Sequence, residues 1–197
     1  STQSAELNLE IRINNMEITC NGIRKHGTHA LLKSVELLGC PVAYQGQEGA
    51  NLHHKPYTEE VTGKHIFIRR HPKNAFISLL RMHNIPLTTG MLISKMQSFE
   101  DESYVQHCDP YLGWLSDADT LNIKFEDLMT DGGLTFQVIA EYLNIPHLDD
   151  AYPNRFGLTA TWSGELSDYT TLAAWTGAVD ETWTDIGGDQ LEQDLGY

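Results

Sequence analysis

A strand, a glycine-bearing turn and a helix follow one another without a gap over residues 16–39, and this unit constrains the fold more than any other part of the chain. "MEITC" (16–20) reads as a short strand. From Gly27 the pattern turns helical: Leu31, Val35 and Leu38 fall at i, i+4 and i+7, Leu32 widens the stripe, and Gly39 supplies a stop. Between strand and helix, Gly22 and Gly27 have the G-x-x-x-x-G spacing of a nucleotide-binding loop. The first N–H groups of a helix have no intrahelical partner, and the helix dipole adds positive potential there, so such a turn holds anions. The order of residues is unusual, however. Lys25 lies inside the loop, and Thr28 and His29 stand where a nucleoside triphosphatase has Lys and Ser/Thr.

Further strands and helices alternate along the chain. "PVAY" (41–44) reads as a second short strand, and "NLHHKPYTEEVTGK" (51–64) as a polar loop. "HIFIR" (65–69) is a strand of the buried type, and Pro72 suits the start of the helix that follows. Residues 88–116 look helical but poorly patterned, and "LNIKF" (121–125) is a third good strand. "LTFQVIAEYLNIP" (134–146) is an amphipathic helix, and residues 176–195 read as a terminal one. Alternation of this kind predicts an α/β fold with a mainly parallel central sheet flanked by helices, its ligand site at the carboxyl edge of the strands. A length of 197 residues, 41% of them apolar, suits one domain spanning 1–197 with a real core.

Residues 1–124 hold 12 of the 13 Lys/Arg and 13 of the 27 acids, a balance of −1; residues 125–197 hold 14 acids against Arg155 alone, a balance of −13. The chain has no basic excess for a nucleic-acid face. An anionic ligand must therefore be held by local groups in the first two thirds. No apolar run has the length of a membrane span, and residues 1–20 do not read as a signal peptide. Cys20, Cys40 and Cys108 are odd in number and widely spaced, which predicts buried thiols rather than a disulfide framework and fits a reducing, cytoplasmic setting. The nine histidines include no H-E-x-x-H pattern, so no metal is expected.

A triphosphatase or kinase using ATP and Mg²⁺ needs a hydroxyl after the loop lysine and a strand ending in Asp to hold the metal. The best strand here ends "FIRR", in bases. That favours metal-free transfer of a group less charged than a phosphoryl. On these residues the chain resembles the sulfotransferases that use PAPS (3′-phosphoadenosine 5′-phosphosulfate). Their first motif is close to P-K-S-G-T-T; "RKHGTH" (24–29) keeps Lys25, Gly27 and Thr28 in register, with Arg24 for the proline and His26 for the serine. Their second runs from a strand-end Arg through N-P-K/R-D to a Ser; "RHPKNAFIS" keeps Arg70, Pro72, Lys73 and Ser78. "KFEDLMTDGGLTFQVIAEYLNIP" (124–146) is similar to the Y-E-D-L strand and the helix after it.

The resemblance implies a P-loop nucleotide-binding-like (sulfotransferase) fold with PAPS as cosubstrate. It implies that the 5′-phosphosulfate lies on Arg24, Lys25, His26, Gly27, Thr28 and His29, with Lys25 neutralising the leaving oxygen. Arg70 and Ser78 would hold the 3′-phosphate, and Phe125 would lie near the adenine in place of a tyrosine. "HHKP" (53–56) is similar to the family's T-H-L-P, which puts His54 at the general base; His53 is the rival, and Glu59 or Glu60 the fallback. "RFGLTATW" (155–162) keeps Arg155, Gly157 and Trp162 of the late R-K-G-x-x-G-x-W segment, a further 3′-phosphate contact. The acceptor would be a small molecule or carbohydrate with a hydroxyl or amine. Met91, Met96, Tyr104, Tyr111 and Trp114 either line its pocket or belong to the core. Two other readings stay open: a kinase using ATP and Mg²⁺, and a non-catalytic nucleotide-binding relative.

Overall fold

The computed structural model describes residues 16–42, 49–130, 132–146 and 166–197. Its centre is a parallel sheet of four strands, β1 (Glu17–Gly22), β2 (Gly49–His53), β3 (Lys64–Arg69) and β4 (Thr120–Lys124), in the order β2-β1-β3-β4. Every neighbouring pair is parallel; Cys20 stands opposite Leu52 on one side and Ile66 on the other. Parallel strands need crossovers, and those crossovers cover both faces of the sheet with helices. Hence Ile66, Phe67 and Ile68 of β3 are all fully buried, a continuous apolar run rather than an alternating one.

The pleat sends these residues to two cores. Ile18, Cys20, Ile66, Ile68 and Ile123 pack on one face with Leu31 and Val35 of α1 (Thr28–Leu37), and with Phe136, Ile139 and Leu143 of α6 (Gly132–Leu143). Phe67 faces the other way. It packs with Phe76 and Leu80 of α2 (Pro72–Met82), Leu92 and Met96 of α3 (Thr89–Gln97), and Tyr104 of α4 (Tyr104–Cys108). Val179 and Trp183 of α7 (Gly177–Asp185) and Leu191 of α8 (Gly188–Asp194) close this second core. A short helix, α5 (Phe125–Thr130), follows β4 directly.

The α/β fold class and the three strongest strands agree with expectation, and three local readings are corrected. Asn51–His53, expected as the start of a polar loop, belong to the edge strand β2; its parallel ladder with β1 overrides their polar composition. The strand expected at 41–44 is reduced, in its described part, to one bridge between Val42 and Ala50. The terminal helix is two helices parted at Gly187, where Gly188 packs against the Trp183 indole. The weakly patterned 88–116 region is held by its caps. Thr88 accepts from the Met91 N–H, and Ser103 and Gln106 form a reciprocal capping box. No described helix is long and apolar enough to cross a membrane.

Candidate active site

The order β2-β1-β3-β4 reverses direction at β1, and the crevice beyond the carboxyl ends of β1 and β3 is where open α/β sheets bind ligands. Three parts of the chain meet there: the turn after β1, the residues after β2, and the residues after β3.

The turn after β1 is tightly wound. Lys25 adopts φ 66° and Gly27 φ 105°, both left-handed. For lysine that conformation costs about 1–2 kcal/mol, so the surrounding structure must impose it. Both glycines are required by contact as well. A Cβ on Gly22 would come within 2.7 Å of the Ile68 carbonyl oxygen, and one on Gly27 within 2.4 Å of the Phe125 ring. In α1 the first N–H with a helical acceptor is that of Leu31, on the Gly27 carbonyl (3.0 Å). The N–H groups of Thr28, His29 and Ala30 precede it and have no acceptor inside the helix.

His26 explains what imposes this shape. Its ring is fully buried, and its Nδ1 accepts the Arg70 backbone N–H at 3.0 Å. The proton is therefore on Nε2, which faces the Tyr104 hydroxyl at 3.5 Å. Burial, with the positive charge of Arg70 nearby, lowers its pKa to about 3, so the ring is neutral at physiological pH. The His26 backbone N–H is also engaged, on the Ile23 carbonyl (3.1 Å). His26 thus staples the turn to the end of β3, with both its ring and its backbone N–H engaged inside the protein.

Arg70 closes the same staple from the other side. It is 6% exposed, lies over the Phe125 ring (4.7 Å), and donates to the Lys25 carbonyl at 3.5 Å. Phe125 is itself buried, between Gly27 and this guanidinium. Ser78 is half-buried on α2, and its hydroxyl makes no hydrogen bond among the described residues. Lys73, which the resemblance sets in the same motif, pairs instead with Asp180 and Glu192, anchoring α7 and α8. Arg24 is exposed and paired with Glu100 at 2.9 Å.

After β2, His54 donates its Nδ1–H to the Gly22 carbonyl at 2.7 Å. A carbonyl only accepts, so Nε2 carries the lone pair. Burial lowers the His54 pKa against the raising effect of that bond, and Arg24, His53 and Lys25 add to the lowering. His29 is lowered likewise by burial, then by His54 and Lys25. Lys25 is lowered by burial, then by Arg70. His54 and Lys25 both act on His29, and Lys25 acts on His54, so the three groups lie near one another beside the turn, with Lys25 as its charge. His53 is the last residue of β2, and Glu59 lines a cavity at the opposite edge of the sheet with Glu17, Lys64 and Asp119.

Asn21, which the sequence analysis did not single out, holds His54 in place together with Tyr111 and Trp114. Asn21 is fully buried; its Oδ1 accepts from the Gly22 and Lys55 N–H groups, and its Nδ2 donates to the Lys55 carbonyl and to His65 Nε2. Trp114 Nε1–H also donates to the Lys55 carbonyl (2.8 Å), and the Tyr111 hydroxyl donates to that of His54 (3.3 Å). Met96, Tyr104, Tyr111 and Trp114 are all buried in the second core, so of the two readings of these residues the structure favours core. Arg155 and Gly157 lie outside the described residues. The three cysteines are free and buried, as expected.

A mouse sulfotransferase, SULT7A1, solved in complex with PAP, superposes on this chain with a TM-score of 0.69. The match covers 99% of this chain and 94% of that one, at 17% sequence identity. The chain has the sulfotransferase fold. No family model matches it, and no curated protein matches it in sequence. At this identity the likeness lies in the fold alone, so the chemistry must be argued from the residues just described.

Proposed function

We propose that the protein is a sulfotransferase that moves a sulfuryl group from PAPS to a hydroxyl or amine of a small-molecule or carbohydrate acceptor. PAPS supplies the activated sulfuryl group. The observation that carries this reading is the tether of His54 to the Gly22 carbonyl, which holds a neutral base beside an anion-holding turn. The residues present fit a doubly anionic nucleotide: free N–H groups open α1, Lys25 adds a charge at the turn, and Arg70 and Ser78 lie beyond the end of β3. Phe125 forms an apolar wall between the turn and Arg70. The nucleotide complex of the mouse neighbour supports the same choice of ligand.

The chemistry follows from charge. His54 Nε2 takes the acceptor's proton as the acceptor oxygen or nitrogen bonds to sulfur. The sulfur–oxygen bond to the 5′-phosphate breaks in line, and Lys25 with the N–H groups of α1 stabilises the charge gathering on the leaving oxygen. His26 acts through the turn, keeping Lys25 in its left-handed conformation. A kinase using ATP and Mg²⁺ is disfavoured by the strand ends: Gly22, His53, Arg69 and Lys124 bear no carboxylate.

Paired calorimetric titrations with PAP and with ATP–Mg²⁺ test the reading, followed by turnover of PAPS on an acceptor panel. Binding of PAP alone, with turnover, is expected. Tight binding of ATP–Mg²⁺ favours the kinase, and PAP binding without turnover on any acceptor favours a non-catalytic module.

A further inference from the structure

Two guanidinium groups converge on one buried serine. Arg70 Nη2–H donates to the Ser167 carbonyl at 3.3 Å, and Arg81 Nη1–H donates to the Ser167 hydroxyl at 3.2 Å. Ser167 is 5% exposed. The arginines come from different elements. Arg70 follows β3, whereas Arg81 is in the last turn of α2, three residues after Ser78 and on the same helix face. Burial works against the charge on Arg70 first; Glu126 favours it from beyond ion-pair range, and Arg81 is close enough to oppose it. Yet among the described residues neither has a carboxylate within ion-pair range, in a chain whose net charge is −14. Arg24 takes Glu100, Lys33 takes Glu36 and Lys73 takes two acids, whereas the other described lysines and Arg69 have no ion pair either. What sets Arg70 and Arg81 apart is that both reach the same buried residue.

Tying down the segment at Ser167 needs one neutral hydrogen bond. It does not need two like charges brought together on two neutral oxygens. A phosphate monoester, with about two charges and three acceptor oxygens, matches two forked donors far better. We infer that Arg81 is a ligand of the nucleotide's 3′-phosphate, completing with Arg70 and Ser78 a seat whose oxygen positions the carbonyl and hydroxyl of Ser167 mark. This rests on the reading of the protein as a binder of PAPS and PAP, and adds a residue that no motif in the sequence assigns to it.

The test compares adenosine 3′,5′-bisphosphate, adenosine 2′,5′-bisphosphate and 5′-AMP by calorimetry, on the full chain and on Arg81→Gln. The two bisphosphates carry the same charge, so their difference reports position. The unsubstituted chain is expected to prefer the 3′,5′ isomer. Arg81→Gln should weaken that isomer about tenfold, the worth of one charge-assisted hydrogen bond, and leave 5′-AMP within about twofold. Arg81→Lys, which keeps the charge but not the fork, should fall between. Arg81 is exposed, so the thermal midpoint should not move. An unchanged preference in Arg81→Gln, or an equal loss for all three nucleotides, overturns the inference and leaves the nucleotide reading standing. Failure of the unsubstituted chain to bind any of them overturns both.

Discussion

Lys25 and His54 can be separated by experiment because they act at different points of the same step. Lys25→Met removes the charge that meets the leaving oxygen and should lower kcat by about 10²–10³, with a smaller loss of PAP affinity. His54→Asn can keep a side-chain N–H for the Gly22 carbonyl while removing the base, and should cost about 10²–10⁴ in kcat with little change in PAP binding. The pH profile gives the sign. His54 must be neutral to accept a proton, and burial holds its pKa below the ordinary 6.5 against the bond to Gly22, helped by Arg24, His53 and Lys25 around it. Activity should therefore be flat at neutral pH and fall only on an acid limb below 6.5. A limb centred above 6.5, or one that persists in His54→Asn, would assign the base elsewhere.

Between elements, the contacts that matter join the turn after β1 to its two neighbours. Gly27→Ala puts a Cβ at 2.4 Å from the Phe125 ring, on a backbone at φ 105°. Strain of about 1–2 kcal/mol and overpacking of about 1–3 kcal/mol add, so its urea midpoint should drop clearly. Asn21→Leu cuts the pins between β1, Lys55 and His65 and leaves buried groups unpaired, at a cost of about 1–3 kcal/mol. Because Lys55 adjoins His54, this variant should also lose more kcat than nucleotide affinity. A variant that loses stability with unchanged kcat would make Asn21 purely structural. None of this was legible in spacing: Asn21 is 34 residues from Lys55, and His26 is 44 from Arg70.

At the scale of the molecule, two fully engaged histidines make folding sensitive to acid. Burial lowers His26 to about 3 and His65 to about 4, whereas both titrate near 6.5 in the unfolded chain. The unfolded state thus binds more protons as pH falls below 6.5. Stability is fully present above 6.5 and is lost down to those folded values, at up to about 1.4 kcal/mol per pH unit for each group. Urea midpoints at pH 7 and pH 5 should differ accordingly, and less so in His26→Gln. Cys20, Cys40 and Cys108 lie in the folded interior, and burial raises all three thiol pKa values. Thiol labelling should then track global unfolding rather than local opening.

The sequence by itself determined the α/β class, the three apolar strands, the turn at Gly22–Gly27 and the helix opened by Pro72. Each of these is a local property, written in hydrophobic period, glycine placement and capping chemistry. The edge strand β2 escaped because its ladder with β1, not its polar composition, makes it a strand. The inward ring of His26 and the tautomer of His54 were decided by tertiary structure alone. Each is a contact across the crevice at the sheet edge between groups far apart in the chain, and a hydrogen bond of that kind leaves no period to read.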